Sequence, residues 1–291
     1  MKLGLGTVQF GVDYGISNPT GKTPAEEVTK ILEVARHNDI SVIDTASLYG
    51  NSEEALGNAL PTGHQFKLVT KTIRFDNERI TLAHASLLEE SFKRSLHNLR
   101  CTSIYGLLIH NADDLLSENG HILIETMLDL KKRRLVDKIG VSIYTPEHID
   151  KILNLFELDL IQVPINVLDQ RLILNGHLKK LKQAGIEIHA RSIFLQGLLL
   201  MDPESLPMHF NKIRPHLIKY NGMLKKYNMS PIDAALGFVI GLDEIDQAIC
   251  GVNNHLQLEE ICSGLRPMPA EIFKEFALTL EDILNPTQWR L

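Results

Sequence analysis

Cysteine is scarce in this sequence. Cys101, Cys250 and Cys262 are the whole complement of a 291-residue chain, and an odd, widely spaced set argues against a disulfide framework and for a reducing compartment. None of the three shows metal-ligand spacing, so no metal is expected. Tryptophan occurs once, at Trp289, and aromatic residues make up 6% of the chain, too few to line a deep aromatic pocket. Long apolar runs are missing as well. The longest, residues 193–201, is interrupted by Gln196 and Gly197 and falls well short of the ~20 residues that cross a bilayer. The opening Met1-Lys2-Leu3-Gly4-Leu5-Gly6 is too broken by glycine for a signal peptide. A soluble, cytoplasmic chain without a membrane partner is therefore expected. The net charge is −6, and the most basic run, Lys131-Lys132-Arg133-Arg134, suits a helix end facing the negative pole of the dipole. No wider basic stripe accompanies it, so nucleic acid is not an expected partner.

What is present is alternation. Short β-branched or leucine-rich runs at 2–5, 41–43, 67–70, 104–109, 138–141, 160–163, 187–190 and 246–249 are separated by amphipathic stretches. Thr23-Pro24-Ala25-Glu26 opens one of these with a cap, an early proline and acids in the first turn, and Val28, Ile31, Leu32 and Ala35 continue it at helical period. Others span 82–99, 122–132, 146–156, 174–184, 213–227 and 231–240, and a further helix is expected over 270–284. Strict strand–helix alternation implies a parallel sheet, and eight units in this length imply closure into a (β/α)8 TIM barrel. The barrel is read as one domain over residues 1–291, with extra helices near the seventh and eighth strands. The alternative, an open doubly wound sheet, lacks its glycine signature: Gly4-Leu5-Gly6-Thr7 leads into a long polar loop and not into a GxGxxG helix start.

In such a barrel chemistry sits at the C-terminal ends of the strands. Three successive strands here run into an ionisable residue: Asp44, Lys71 and His110. Neighbouring strands lie about 4.8 Å apart, so the three converge on one patch. Tyr49 follows Asp44 in the loop before a helix opened by Asn51-Ser52-Glu53-Glu54. A lysine ammonium beside a phenol is expected to lower its pKa, and an aspartate to keep the lysine charged. A neutral histidine can donate to a carbonyl oxygen. The set makes a proton donor and a carbonyl polariser, and it needs a hydride from elsewhere.

These residues carry a resemblance. Asp44-Thr45-Ala46, Tyr49-Gly50, Asn51-Ser52-Glu53 and Leu56-Gly57 resemble the first signature of the aldo-keto reductase family. Leu3-Gly4-Leu5-Gly6-Thr7, Val69-Thr70-Lys71 and Leu108-Ile109-His110 resemble its first, third and fourth strands. The resemblance implies an NAD(P)H-dependent oxidoreductase that reduces an aldehyde or ketone to an alcohol, with Asp44, Tyr49, Lys71 and His110 as catalytic residues and Tyr49 as proton donor. It further implies a cofactor cleft formed by Thr7, Ser142, Gln162, Arg191, Ser192, Leu195, Gly197, Gly251, Asn253, Asn254, Gln257 and Glu260, with a helix near Asn254 offering free amides to a phosphate. NADPH is the family's common partner and the expected cofactor, with NADH the alternative, because no Lys or Arg stands around the eighth strand to grip a 2′-phosphate. Two departures stand out: Ile143 replaces the family's asparagine, and Arg191 replaces an aromatic that stacks on the nicotinamide. No clear N-terminal hairpin precedes the first strand, so Leu3 or the N-terminal loop is expected to close the barrel floor.

The substrate is expected to be a small carbonyl compound, sugar-like on the analogy of the Phe194-Leu195-Gln196-Gly197-Leu198 stretch, held by Phe10, Leu48, Ile73 and Phe75. Tyr14 and Trp289 are further apolar candidates; Asn51, Arg74, Asn111 and Asn166 are polar ones. The oligomer is expected to be a monomer or a weak homo-oligomer. Two competing readings share the barrel. One is a catalytically silent nicotinamide-binding protein that senses or docks. The other is a Schiff-base lyase using Lys71, which needs a neutral amine where Asp44 is expected to raise the pKa.

Overall fold

The computed structural model describes residues 2–289. Its strands are β1 (Leu3–Gly6), β2 (Val42–Asp44), β3 (Lys67–Lys71), β4 (Ile104–Ile109), β5 (Val136–Ser142), β6 (Leu160–Pro164), β7 (Glu187–Arg191) and β8 (Gln247–Gly251). They pair in sequence order, all parallel, and β1 closes on β8 with Leu3 opposite Ala248 and Gly6 opposite Gly251. The helices between them include Ala25–His37, Ser52–Ala59, Leu82–Asn98, His121–Lys132, Glu147–Leu153, His177–Gln183 and Pro231–Ile240. Additional segments follow β7, where Leu195–Leu200 and Arg214–Lys226 precede the helix Pro231–Ile240, and β8, where His255–Gly264 begins. No helix among the described residues is long and apolar enough to cross a membrane.

Alternation along each strand sorts the side chains into two cores. Leu3, Leu5, Ile43, Leu107, Ile139, Ile161 and Ile188 join the large core shared with the surrounding helices. The opposite parity fills the barrel, where Val42, Val69, Leu108, Leu160 and Ile249 form a separate small cluster. Gly140 on β5 makes the close strand approach there possible, since a Cβ at that position would lie 1.7 Å from the Leu160 carbonyl oxygen. The same period of two carries Asp44 above Val42 and Lys71 above Val69, so the barrel interior sets the heights of the ionisable groups at its mouth.

The floor differs from the expectation. Leu3 packs outward with the helices, not across the barrel. Charged and polar groups from the strand starts meet near the floor instead. Glu187 accepts from Tyr105 Oη at 2.6 Å, from His189 Nε2 at 2.7 Å and from Lys138 Nζ. Lys67 Nζ sits 4.8 Å from the Tyr105 ring centroid, and His189 is fully buried.

The helix expected over 270–284 is also corrected. Ala270–Phe276 is 3-10, Ala277 is extended and Glu281–Leu284 is a single α turn. The backbone here is drawn to the barrel: Leu278 N donates to Leu168 O at 2.8 Å, and Gln170 Nε2 donates to Phe273 O at 2.8 Å. With Phe273 and Phe276 buried by that docking, tertiary contacts override the local helical pattern.

Candidate active site

At the barrel mouth Lys71 Nζ lies 2.8 Å from both carboxylate oxygens of Asp44 and 2.8 Å from the carbonyl oxygen of Thr45. An ammonium has three protons, and this arrangement occupies them all. Gln162 Nε2 donates to Asp44 Oδ1 at 2.7 Å, and Ser142 Oγ stands 3.5 Å from Gln162 Oε1. Burial holds the Lys71 ammonium below its usual range and outweighs the opposing pull of Asp44, contrary to the expectation that the aspartate would raise it. With every N–H engaged, the nitrogen presents no lone pair to a carbonyl carbon in this arrangement.

Tyr49 sits on the turn after β2. Two glycines shape that turn. Gly50 takes φ +57°, and a Cβ on Gly11 would fall 1.6 Å from the Tyr49 carbonyl oxygen. The short helix Val8–Gly11 therefore presses directly on the backbone that presents the phenol. Beneath it Ser52 Oγ donates to Thr7 O at 2.7 Å, and its hydroxyl meets those of Thr7 at 2.8 Å and Thr45 at 3.1 Å. Thr7 Oγ1 in turn lies 3.0 Å from Asp44 O. Thr7 lines the cavity but uses its hydroxyl on this backbone knot.

The Tyr49 and His110 rings meet edge to face, centroids 5.9 Å apart, and Lys71 Nζ lies 5.1 Å from the Tyr49 ring centroid. The expected lowering of the Tyr49 pKa does not occur. Burial and the Asp44 carboxylate push the phenol above its ordinary range, against the pull of Arg191 and Arg74. His110 is pushed down to about 3 by burial first and then by Lys71, Arg74 and Arg191. It is therefore neutral near pH 7. Its Nδ1 is buried without a partner, so the tautomer protonated on Nε2 avoids stranding a buried N–H.

A cleft of about 810 Å³ runs across this mouth. Asp44, Tyr49 and His110 line it together with Thr7, Ser142, Gln162, Arg191, Ser192, Gly197, Gly251, Asn253, Gln257 and Glu260. Leu195 is fully buried and does not face it. Asn254 does not face it either, because its side chain caps the helix His255–Gly264 by accepting from Gln257 N at 2.9 Å. That helix start is less open than the sequence suggests. The Glu27 carboxylate reaches across from the helix Ala25–His37 to accept from His255 N at 2.8 Å and to meet the His255 ring, so two of the first amides are already capped.

Of the expected substrate contacts, Leu48 lines the cleft. Phe10 and Phe75 are drawn into the core, and Ile73 packs against that core without facing the cleft. Trp289 stacks on Phe210 at 4.9 Å and donates to Ile283 O at 3.0 Å, which docks the tail. Among the polar candidates, Asn51 is held by Lys22, Asn111 by Asp76 and Asn166 by Ser192 O, whereas Arg74 and Tyr14 do line the cleft. Tyr144 is a wall residue the sequence reading missed. The Arg191 guanidinium stacks 4.2 Å over its ring while Nη2 donates to Ile143 O at 2.8 Å and Nη1 to Ser192 Oγ at 3.0 Å. Ile143 itself is buried, so β5 ends by turning an aliphatic inward and the next aromatic toward the cleft.

Chemically, the site offers a protonated phenol, a neutral imidazole donor and a closed ion pair beside a long cleft. Among the described residues no cluster of His, Cys, Asp or Glu is arranged to hold a metal.

A comparison with curated protein sequences gives no match. Solved structures do match. The aldo-keto reductase AKR11C1 from Bacillus halodurans, in its holo form, superposes with a TM-score of 0.77 at 20% identity, covering 95% of this chain and 92% of its own. The glycerol dehydrogenase AKR11B4 from Gluconobacter oxydans superposes with a TM-score of 0.73 at 21% identity, covering 97% of this chain and 91% of its own. At these identities the likeness is one of fold. The model of the aldo/keto reductase family matches residues 2–277, nearly the whole sequence. The chain belongs to the aldo-keto reductase family.

Proposed function

We propose that the protein is a nicotinamide-dependent reductase of aldehydes or ketones, with Tyr49 as proton donor. The observation that carries this reading is the edge-to-face meeting of Tyr49 and His110 at the cleft, beside the closed Asp44–Lys71 pair. When bound, the dinucleotide supplies the hydride. Every other requirement falls on this chain. His110, neutral and protonated on Nε2, donates to the carbonyl oxygen and orients it. Tyr49 keeps its proton over the physiological range and gives it up only to a stronger base, the alkoxide that develops on that oxygen. Asp44 and Lys71 are positioning residues: their buried pair fixes the floor of the pocket and places a positive charge behind the phenol ring.

The residues along the cleft fit the cofactor. Gln162 Oε1 and Ser142 Oγ face each other weakly enough to accept and donate elsewhere, and the acceptors Gln9 Oε1 and Asn253 Oδ1 are buried without partners. The adenosine end favours NADH over the NADPH expected from the family. We assign its wall to Gly251, Asn253, Gln257 and Glu260, and among the described residues the cations that line the cleft are Arg74 and Arg191, outside that set. Glu27 at the start of the helix His255–Gly264 adds negative charge where a 2′-phosphate would need the opposite.

The test is cofactor oxidation with a panel of small aldehydes. Tyr49→Phe should lower kcat by about 10²- to 10⁴-fold while NADH still quenches protein fluorescence. Full activity in that variant refutes Tyr49 as donor. Tight binding without turnover of any carbonyl by the native protein favours the silent sensor instead.

A further inference from the structure

The chain as a whole carries a net charge of −6, yet the reaction end of its cleft is basic. Among the described residues two carboxylates line the cleft, Asp44 and Glu260. Asp44 is neutralised by Lys71, and Glu260 belongs to the helix after β8, three strands around the barrel from β3. Against them stand two guanidinium groups with different circumstances. Arg191 is engaged by Ile143 O, by Ser192 Oγ and by the face of Tyr144. Arg74, three residues beyond the end of β3, is not. Among the described residues its one polar contact is with Tyr144 Oη at 3.5 Å. Two acids of the adjoining loops have other donors: Asp76 takes Asn111 Nδ2, and Asp114 takes the amides of Phe75 and Asp76. Its charge is nonetheless felt at both Tyr49 and His110.

An unmatched guanidinium on a concave wall beside a reacting centre is a receptor for an oxyanion, since its fork meets two oxygens at once. The Tyr144 hydroxyl, which accepts from Arg74, keeps its own proton free for the same anion. The cofactor cleft is assigned to the β5-to-β8 side, whereas Arg74 follows β3 and reaches only the Tyr144 hydroxyl, which puts it toward the opposite, substrate side of the cleft. We propose that Arg74 anchors an anionic group, a carboxylate or a phosphate, on the carbonyl substrate. This inference rests on the reductase reading and names its substrate class. A basic mouth on an acidic protein also steers such substrates inward and away from the remaining surface.

The experiment compares pairs of carbonyl compounds that share a carbon chain, in the native enzyme: 4-oxobutanoate against butanal, and glyceraldehyde 3-phosphate against glyceraldehyde. A charge-assisted contact of this kind predicts kcat/KM higher by about 10- to 100-fold for the anionic member, carried by KM and weakened by salt. The two pairs tell carboxylate from phosphate. In Arg74→Gln the anionic-to-neutral ratio should fall toward one, and Arg74→Lys should keep part of it. Equal rates for both members of each pair, or a ratio unmoved by Arg74→Gln, overturns the anchor and leaves the reductase reading standing. Loss of NADH affinity in Arg74→Gln by the same factor, read by fluorescence quenching, assigns Arg74 to the cofactor and also overturns it. Turnover of neither member by the native enzyme sinks the reductase reading, and the anchor falls with it.

Discussion

The Lys71 ammonium lies 2.8 Å from each carboxylate oxygen of Asp44, and both side chains are almost wholly buried, 1% and 6% exposed. Two charges withdrawn from water in this way are tolerable only together. Asp44→Asn should leave the ammonium without a counter-charge, and Lys71→Met should leave the carboxylate with Gln162 as its main donor. Each single change is expected to cost about 3–5 kcal/mol, the usual penalty for breaking a buried pair. The double variant should be less destabilised than the sum of the two by more than about 1 kcal/mol. Urea unfolding of the four proteins measures the coupling. Strict additivity would mean that the two groups are held separately by their other partners.

A second, half-buried ion cluster lies near the opposite end of the barrel. Burial alone would raise the Glu187 carboxyl, but hydrogen bonds from His189, Lys138 and Tyr105 outweigh it and pull the group down to about 2. A depressed carboxylate stabilises the fold above its unfolded value of about 4.3, and that stability is lost as pH falls through this value toward 2. Glu187→Gln should therefore be less stable than the native protein at pH 7, and the gap should narrow steadily between pH 4.5 and pH 2.5. Urea midpoints at several pH values test this. A gap that stays constant with pH would assign the loss to packing and not to charge.

Sequence order and strand ends made much of this molecule legible. Asp44, Lys71 and His110 each close a run of apolar residues, and period-two alternation alone puts them on the barrel side with Val42, Val69 and Leu108. What stayed hidden depends on contacts between distant segments. Lys67, Lys138 and Glu187 look like solvated strand starts until barrel closure brings them around Tyr105. Glu27 has the pattern of an ordinary first-turn acid of its own helix, yet it also caps the helix 228 residues later. The position of Phe10 is hidden for a similar reason. A phenylalanine in a loop beside the mouth suggests a pocket wall, but a short unforeseen helix, Val8–Gly11, turns it into the core. The Arg191–Tyr144 stack had a partial signal, since the departure at Ile143 marked β5 as unusual without saying which neighbour would face the cleft.

His110 gives the sharpest pH prediction. Its pKa in the folded protein is pushed down to about 3, whereas an unfolded histidine titrates near 6.5. Below pH 6.5 the unfolded chain takes up a proton that the folded site refuses, so the contribution of this residue is full at high pH and declines as pH falls toward 3. The slope should approach about 1.4 kcal/mol per pH unit well below 6.5. A His110→Gln variant removes this component. The stability difference between native protein and variant should therefore shift against the native protein between pH 7 and pH 5. Long-range proton–nitrogen spectra of the labelled enzyme should show His110 neutral across the same window, with the proton on Nε2. An imidazolium signal appearing near pH 6.5 would mean that the pocket admits charge freely. His110 would then polarise the carbonyl as a cation, and the neutral-donor role assigned to it would have to be abandoned.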